Sequence, residues 1–180
     1  MSILMIILVV VIFFLASGTI MLKKLVYVCP PETVLVFSGG SNGYRFITEG
    51  KRALALPIVE RVESLSLRST SVSLEMLNVY MKGGVSVNIE AVSTIRVSDD
   101  PEYIRNAIER FLGGDPREIL RVATETLEGH TRSVLATVSK EEVDSQRREV
   151  GERILQESAE DFQKLGLCAD DFKIQSVSVP

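Results

Sequence analysis

The chain carries a single histidine, His130, and two cysteines, Cys29 and Cys168, 139 positions apart. A serine-protease-like triad would have to be built around His130. Its neighbours Glu128 and Arg132 offer no serine on the same helical face, since Ser133 turns outward if Val134 is buried. A core or interface histidine held by a hydrogen bond accounts for the residue better than a catalytic one. One histidine and two distant cysteines lack the ligand spacing of a zinc site, so no metal is expected. The cluster Gly39-Gly40-Ser41-Asn42-Gly43 lacks the Lys-Ser/Thr of a phosphate loop and leads into a strand, which makes it a hairpin turn. Carboxylates lie at spacings of three and four from basic residues, as in Glu149 and Arg153, the pattern of solvated helix pairs. Nothing here points to catalysis or to a cofactor.

The elements that position these residues begin with a membrane segment. From Ile3 to Leu22, 17 of 20 residues are apolar and none is charged. Twenty helical residues reach about 30 Å, the thickness of a bilayer's hydrocarbon core. Only Met1 and Ser2 precede the run, and it is longer than a signal-peptide core, so a retained anchor over residues 1–24 is expected, as a single span or as a re-entrant hairpin bending near Ser17-Gly18-Thr19. Lys23 and Lys24 follow and should stay cytoplasmic, which places the soluble part on the cytoplasmic face. Cys29 lies five residues beyond the lysines, where acylation is chemically possible; a half-buried thiol at a strand start is the plainer reading.

Charge divides unevenly. Residues 23–98 hold nine Lys/Arg and six Asp/Glu, a net of +3, whereas residues 99–180 hold eleven and eighteen, a net of −7. A basic region beside the anchor suits an anionic leaflet. With no Trp, 6% aromatic residues and a pI near 5.2, the chain is not built for nucleic acid.

The basic half alternates with period 2. Strands are expected at Thr33–Phe37, Tyr44–Ile47, Ala53–Pro57, Val62–Leu67 and Val72–Val79. The clearest runs from Val85 to Val97, with Val85, Val87, Ile89, Ala91, Ile95 and Val97 on one face, interrupted by Ser93; its length predicts a bulge midway. At Asp99 the period becomes 3.6. A first helix should open at Asp100-Pro101-Glu102 and stop near Gly113-Gly114. A second opens at Asp115-Pro116-Arg117-Glu118 and should bury Ile119, Ala123, Leu127, His130 and Val134. The third, from the capping box at Ser139 to about Leu165, has Val143, Val150, Ile154 and Phe162 or Leu165 inside, with Gly166 as its stop. A last strand, Phe172–Val179, shifts its apolar parity after Ile174, which suggests a bulge.

This order resembles the stomatin/prohibitin/flotillin/HflK-C (SPFH, band 7) domain, and particular blocks are similar to flotillins. Val36-Phe37-Ser38-Gly39-Gly40 resembles that family's opening strand and glycine turn, and Gly83-Gly84-Val85-Ser86-Val87-Asn88 its later glycine-led strand. Phe111-Leu112-Gly113, followed by Thr126-Leu127-Glu128-Gly129-His130-Thr131-Arg132-Ser133-Val134-Leu135, is the most specific match. Leu165-Gly166-Leu167 resembles the turn before the final strand. The resemblance implies an α+β SPFH fold, β-rich over about 25–80 and α/β over about 81–180, behind the membrane helix. It implies a scaffold that forms homo-oligomers, organises lipid microdomains (lipid rafts) in the cell membrane and recruits partners, with an NfeD-like membrane protein as partner among bacterial relatives. An alternative is a regulatory module for a membrane protease. The signature residues Gly39, Gly40, Leu127, Glu128, Gly129, His130 and Arg132 are expected to be structural, and the resemblance implies no enzyme. Flotillins continue into a Glu/Ala-rich coiled coil, so this chain reads as the front part of a longer protein.

Overall fold

The computed structural model describes residues 5, 7–9, 12–13, 26–40, 43–55 and 59–179. The chain divides into two compact units, Met1–Leu65 and Ser66–Pro180. The strand over residues 70–80 belongs to the second unit, where it pairs with the strand that follows it. The expected anchor lies largely outside the described residues, as do Lys23 and Lys24. Among the described residues no helix is long and apolar enough to cross a membrane.

The first unit is β-rich. β1 (Val26–Val28) pairs antiparallel with β4 (Arg52–Leu54), and β2 (Thr33–Gly40) lies between β3 (Gly43–Ile47) and β5 (Arg61–Ser66). Its core gathers Cys29, Leu35, Phe37 and Ala55, with Tyr27 set edge-on to Phe37 at 6.1 Å between ring centroids. The expected strand at Ala53–Pro57 is shorter, ending at Leu54.

The second unit lays four helices on an antiparallel sheet ordered β6 (Thr70–Tyr80), β7 (Ser86–Val97), β8 (Leu167–Ser178). β7 alternates without a break, and the expected mid-strand bulge is instead carried by its partners. On β6 an extra residue enters between Met76 and Val79, where Asn78 takes φ +54° and its N–H donates to the Asn88 side chain. On β8 extra residues enter between Ala169 and Asp171 and between Ile174 and Ser176, the second matching the parity shift read from the sequence. A long strand stays straight when its neighbours absorb the register slips. Val85 lies outside β7 and is exposed, whereas Ser93 is fully buried, its hydroxyl donating to the Asp171 carbonyl at 2.6 Å.

α1 spans Ile104–Phe111, four residues later than the Asp100 start. The Asp100 side chain accepts from the Glu102 N–H at 2.8 Å, so residues 100–103 form a local turn before the helix begins. α2 spans Pro116–Leu135, capped by Asp115 as expected. The single helix expected from Ser139 to Leu165 is two, α3 (Lys140–Ser145) and α4 (Arg147–Leu165), broken at Gln146. Ser145 Oγ bonds back to the carbonyls of Glu141 and Glu142, an alternative that competes with helix continuation. Beyond the break Arg147 donates to the Gln175 carbonyl at the second β8 bulge. The close of α4 at Gly166 holds: φ is +72°, and a Cβ there would lie 2.6 Å from the Tyr103 carbonyl oxygen.

Candidate functional site

α2 carries the block from Thr126 to Leu135. Its periodicity sends Ala123, Leu127, Thr131 and Val134 inward, all fully buried, while Ile119 is only half-buried. His130 therefore lies at the edge of the buried face. Its side chain keeps 23% exposure and its Nε2 is 3.0 Å from Asp161 Oδ2 on α4. The expected ring hydrogen bond is thus present, with partial instead of full burial. Lys164 and His130 together hold the Asp161 carboxyl below the usual carboxylate range, Lys164 contributing more.

Around this pair lies an open hollow of about 410 Å³ lined by Glu125, Thr126, Gly129, His130, Ser133 and Asp161. Ser133 points outward, as the burial of Val134 requires, and still reaches the same hollow. A catalytic relay needs an aligned nucleophile beside the base; the polar partner that the structure gives His130 is the α4 carboxylate. Glu128 and Arg132 pair along α2 at 3.4 Å, a solvated i,i+4 contact worth about 0.3–0.5 kcal/mol. Further helix pairs include Arg121 with Glu118 and Glu125, and Arg148 with Glu152; Arg153 pairs forward with Glu157 and not back with the expected Glu149.

The remaining signature residues lie in the first unit. Gly39 has φ +107°, and a Cβ there would stand 2.5 Å from the Val59 carbonyl oxygen, so no other residue fits without displacing that segment. Gly40 closes β2, in register with Gly43. Cys29 is 3% exposed and its thiol donates to the Thr33 carbonyl at 3.1 Å. An acyl chain on Cys29 would require this packing to open.

β1 and β4 present a feature that composition hides. Val26 faces Leu54 and Val28 faces Arg52 across the pair, so these four share one side while Tyr27 and Ala53 pack inward. Val26, Val28 and Leu54 are 46%, 56% and 64% exposed. They form an apolar strip flanked by Lys51 and Arg52, and the strip begins two residues after Lys24.

The family model described as the SPFH domain / Band 7 family matches residues 27–180. The chain belongs to that family. Within it the chain is flotillin-like. It is 24% identical to flotillin-1 of Homo sapiens over 154 residues, 85% of this chain and 36% of that protein. Flotillin-1 of Drosophila melanogaster is 27% identical over 150 residues, 83% of this chain and 35% of that protein. The chain therefore spans about a third of the length of the curated relatives it matches. The SPFH match runs from β1 through β8, so every strand and helix labelled above falls within it apart from Val26.

Three positions in this SPFH domain escaped the sequence reading. Asp161 is 31 residues from His130, and no local pattern announces the pairing. Gly151 interrupts the α4 pattern, a signal of close packing, and a Cβ there would be 2.6 Å from the Phe172 carbonyl oxygen. Arg96, on the polar face of β7, bonds both Asp99 and Asp170 at 3.0 Å.

Proposed function

We propose that this chain is a membrane-bound scaffold. Residues 3–22 anchor it, the SPFH domain lies on the cytoplasmic face, and copies assemble side by side to organise a membrane microdomain and recruit partner proteins, an NfeD-like membrane protein among them. The observation that carries the membrane part is the exposed strip of Val26, Val28 and Leu54. A strip of this kind in water exposes apolar surface with no return, whereas each side chain fully buried in the acyl boundary would contribute about 1.5–3 kcal/mol. Lys51 and Arg52 beside it suit anionic headgroups, each adding about 1 kcal/mol near such a surface. The likeness to flotillin-1 over most of the chain supports the scaffold part.

The absence of Trp from the sequence makes the test direct. A Leu54→Trp variant reconstituted in vesicles of phosphatidylserine and phosphatidylcholine should show blue-shifted emission quenched by brominated acyl chains. Tyr27→Trp, turned inward from the same strand pair, should be quenched less. Equal quenching at both sites, or none at Leu54→Trp, would remove the strip from the membrane. Cross-linking of the unmodified chain in the same vesicles should give a ladder of multimers; a monomer at every concentration ends the scaffold reading.

A further inference from the structure

The two edges of the second unit's sheet are guarded differently. In the order β6-β7-β8 each outer strand leaves one row of backbone N–H and C=O groups unpaired. β8 blunts its edge with two bulges, with the charges of Asp170, Asp171 and Lys173, and with the Arg147 guanidinium on the Gln175 carbonyl. β6 has none of these over its first half. From Thr70 to Met76 its register on β7 is unbroken, and Thr70 to Leu74 carry neither charge nor proline. The outer row of that stretch finds no backbone partner among the described residues. A regular, uncharged edge of this kind is a template for an added strand.

A hollow of about 220 Å³ lies where β6 begins. Thr70 opposes the buried Ile95, so both side chains lie on the sheet face that carries the helices, and α2 lies against β6. Ile95 and Val97 of β7 and the half-buried Ile119 and Leu120 of α2 wall the hollow. Arg68 lines it from the segment just before β6 and Arg117 from the first turn of α2, and no carboxylate is among its lining residues. Arg96 lines it too, but already serves Asp99 and Asp170. Arg117 is exposed, and its guanidinium has no carboxylate partner among the described residues. An apolar cavity of about 150 Å³ holds benzene, so this hollow takes a side chain the size of leucine or phenylalanine together with an anionic group.

We infer that the C-terminal segment of a partner protein adds to the outer edge of β6, places its last, apolar side chain in the hollow and lays its terminal carboxylate against Arg117 and Arg68. Strand direction selects the C-terminus. β6 starts at the hollow, so a strand added antiparallel, the more frequent arrangement, arrives there with its C-terminal end. Its carboxylate then meets the arginines at the point where the backbone pairing ends, and main-chain bonds supply affinity while the hollow supplies selectivity. A fatty acid would satisfy the arginines and the apolar walls but leave the β6 edge unpaired. This rests on the recruitment part of the proposed function and gives it a site; anchoring and assembly are separate from it.

The probe is a fluorescein-labelled hexapeptide, Thr-Val-Ser-Val-Thr-Phe, with a free C-terminal carboxylate. It is titrated by fluorescence anisotropy against the full chain in mild detergent, with circular dichroism as the folding control. Saturable binding is expected, and its absence overturns the inference. Amidating the peptide's C-terminus and Arg117→Glu in the chain should each weaken binding at least about tenfold, and together little more than either alone, because both remove one contact. Methylating the alternate peptide nitrogens that face β6 should abolish binding, whereas methylating the other set should spare it. Equal effects of the two sets overturn the added strand and leave an apolar anion, such as decanoate, as the occupant. Failure of the peptide to bind a chain that still gives a cross-linked ladder in vesicles removes this site and leaves the scaffold standing; binding to a chain that stays monomeric does the reverse.

Discussion

Gly151 of α4 and Phe172 of β8 meet so closely that a Cβ on the glycine would lie 2.6 Å from the Phe172 carbonyl oxygen. The helix can lie on the strand at that distance only because the glycine leaves its face bare. Gly151→Ala would gain about 1 kcal/mol of helix propensity, but a methyl against a backbone atom forces the helix outward, and overpacking of this kind costs about 1–3 kcal/mol. A net loss of stability is expected, read as a lower urea midpoint with an unchanged slope.

Ser93 should behave as a structural pin. It interrupts the apolar face of β7, is fully buried, and gives its hydroxyl to the Asp171 carbonyl, while the neighbouring Thr94 N–H bonds the Asp171 side chain at 2.9 Å. These contacts hold β8 just after the bulge at Asp170. Ser93→Ala leaves the carbonyl of Asp171 without its hydroxyl donor, a loss of about 1–3 kcal/mol. Amide exchange should accelerate in β8 near Asp171 more than in β6.

Acid should weaken the domain in part through particular carboxylates. Arg96 holds Asp99 low, Lys173 and the Thr94 N–H hold Asp171 low, and Lys164 with His130 holds Asp161 low. Each folded-state value lies below the unfolded one, so each contributes stability above the ordinary carboxylate value of about 4 and loses it as pH falls through the folded value. The urea midpoint should be flat in this respect above about pH 5 and fall below about pH 4. Replacing the three aspartates by asparagine should flatten that acid limb; an unchanged limb would assign acid sensitivity to other groups.

Local patterns made much of this legible. Asp115 before Pro116 and the glycine after Leu165 set helix ends, and the parity change after Ile174 marks a bulge. What stayed hidden depends on distance along the chain. The His130–Asp161 contact spans 31 residues and Ser93–Asp171 spans 78, so neither leaves a local trace. The break at Gln146 was masked because α3 and α4 share one apolar stripe, in which Val143 and Val150 are both buried seven residues apart. The Val26, Val28 and Leu54 strip was hidden for a related reason: strand periodicity identifies two faces and leaves open which one is covered.

Two glycines give opposite expectations for the same substitution. Gly166 has φ +72°, and its Cβ would press on the Tyr103 carbonyl just ahead of α1 and on Ala107 within it, so Gly166→Ala combines backbone strain with a clash and should cost about 2–4 kcal/mol. Gly129 lies in the middle of α2, exposed, with nothing within 4 Å of an added Cβ. Among the described residues no packing requires it, and alanine is the better helix former by about 0.5–1 kcal/mol. Gly129→Ala should therefore stabilise the domain by about that amount, because it restricts the unfolded chain and adds no contact that must give way. Urea denaturation of the two variants side by side should move the midpoint in opposite directions. A loss of stability in Gly129→Ala would mean that the wall of the His130 hollow is closed to a methyl group and that α2 lies against more of the protein there than its exposed backbone implies.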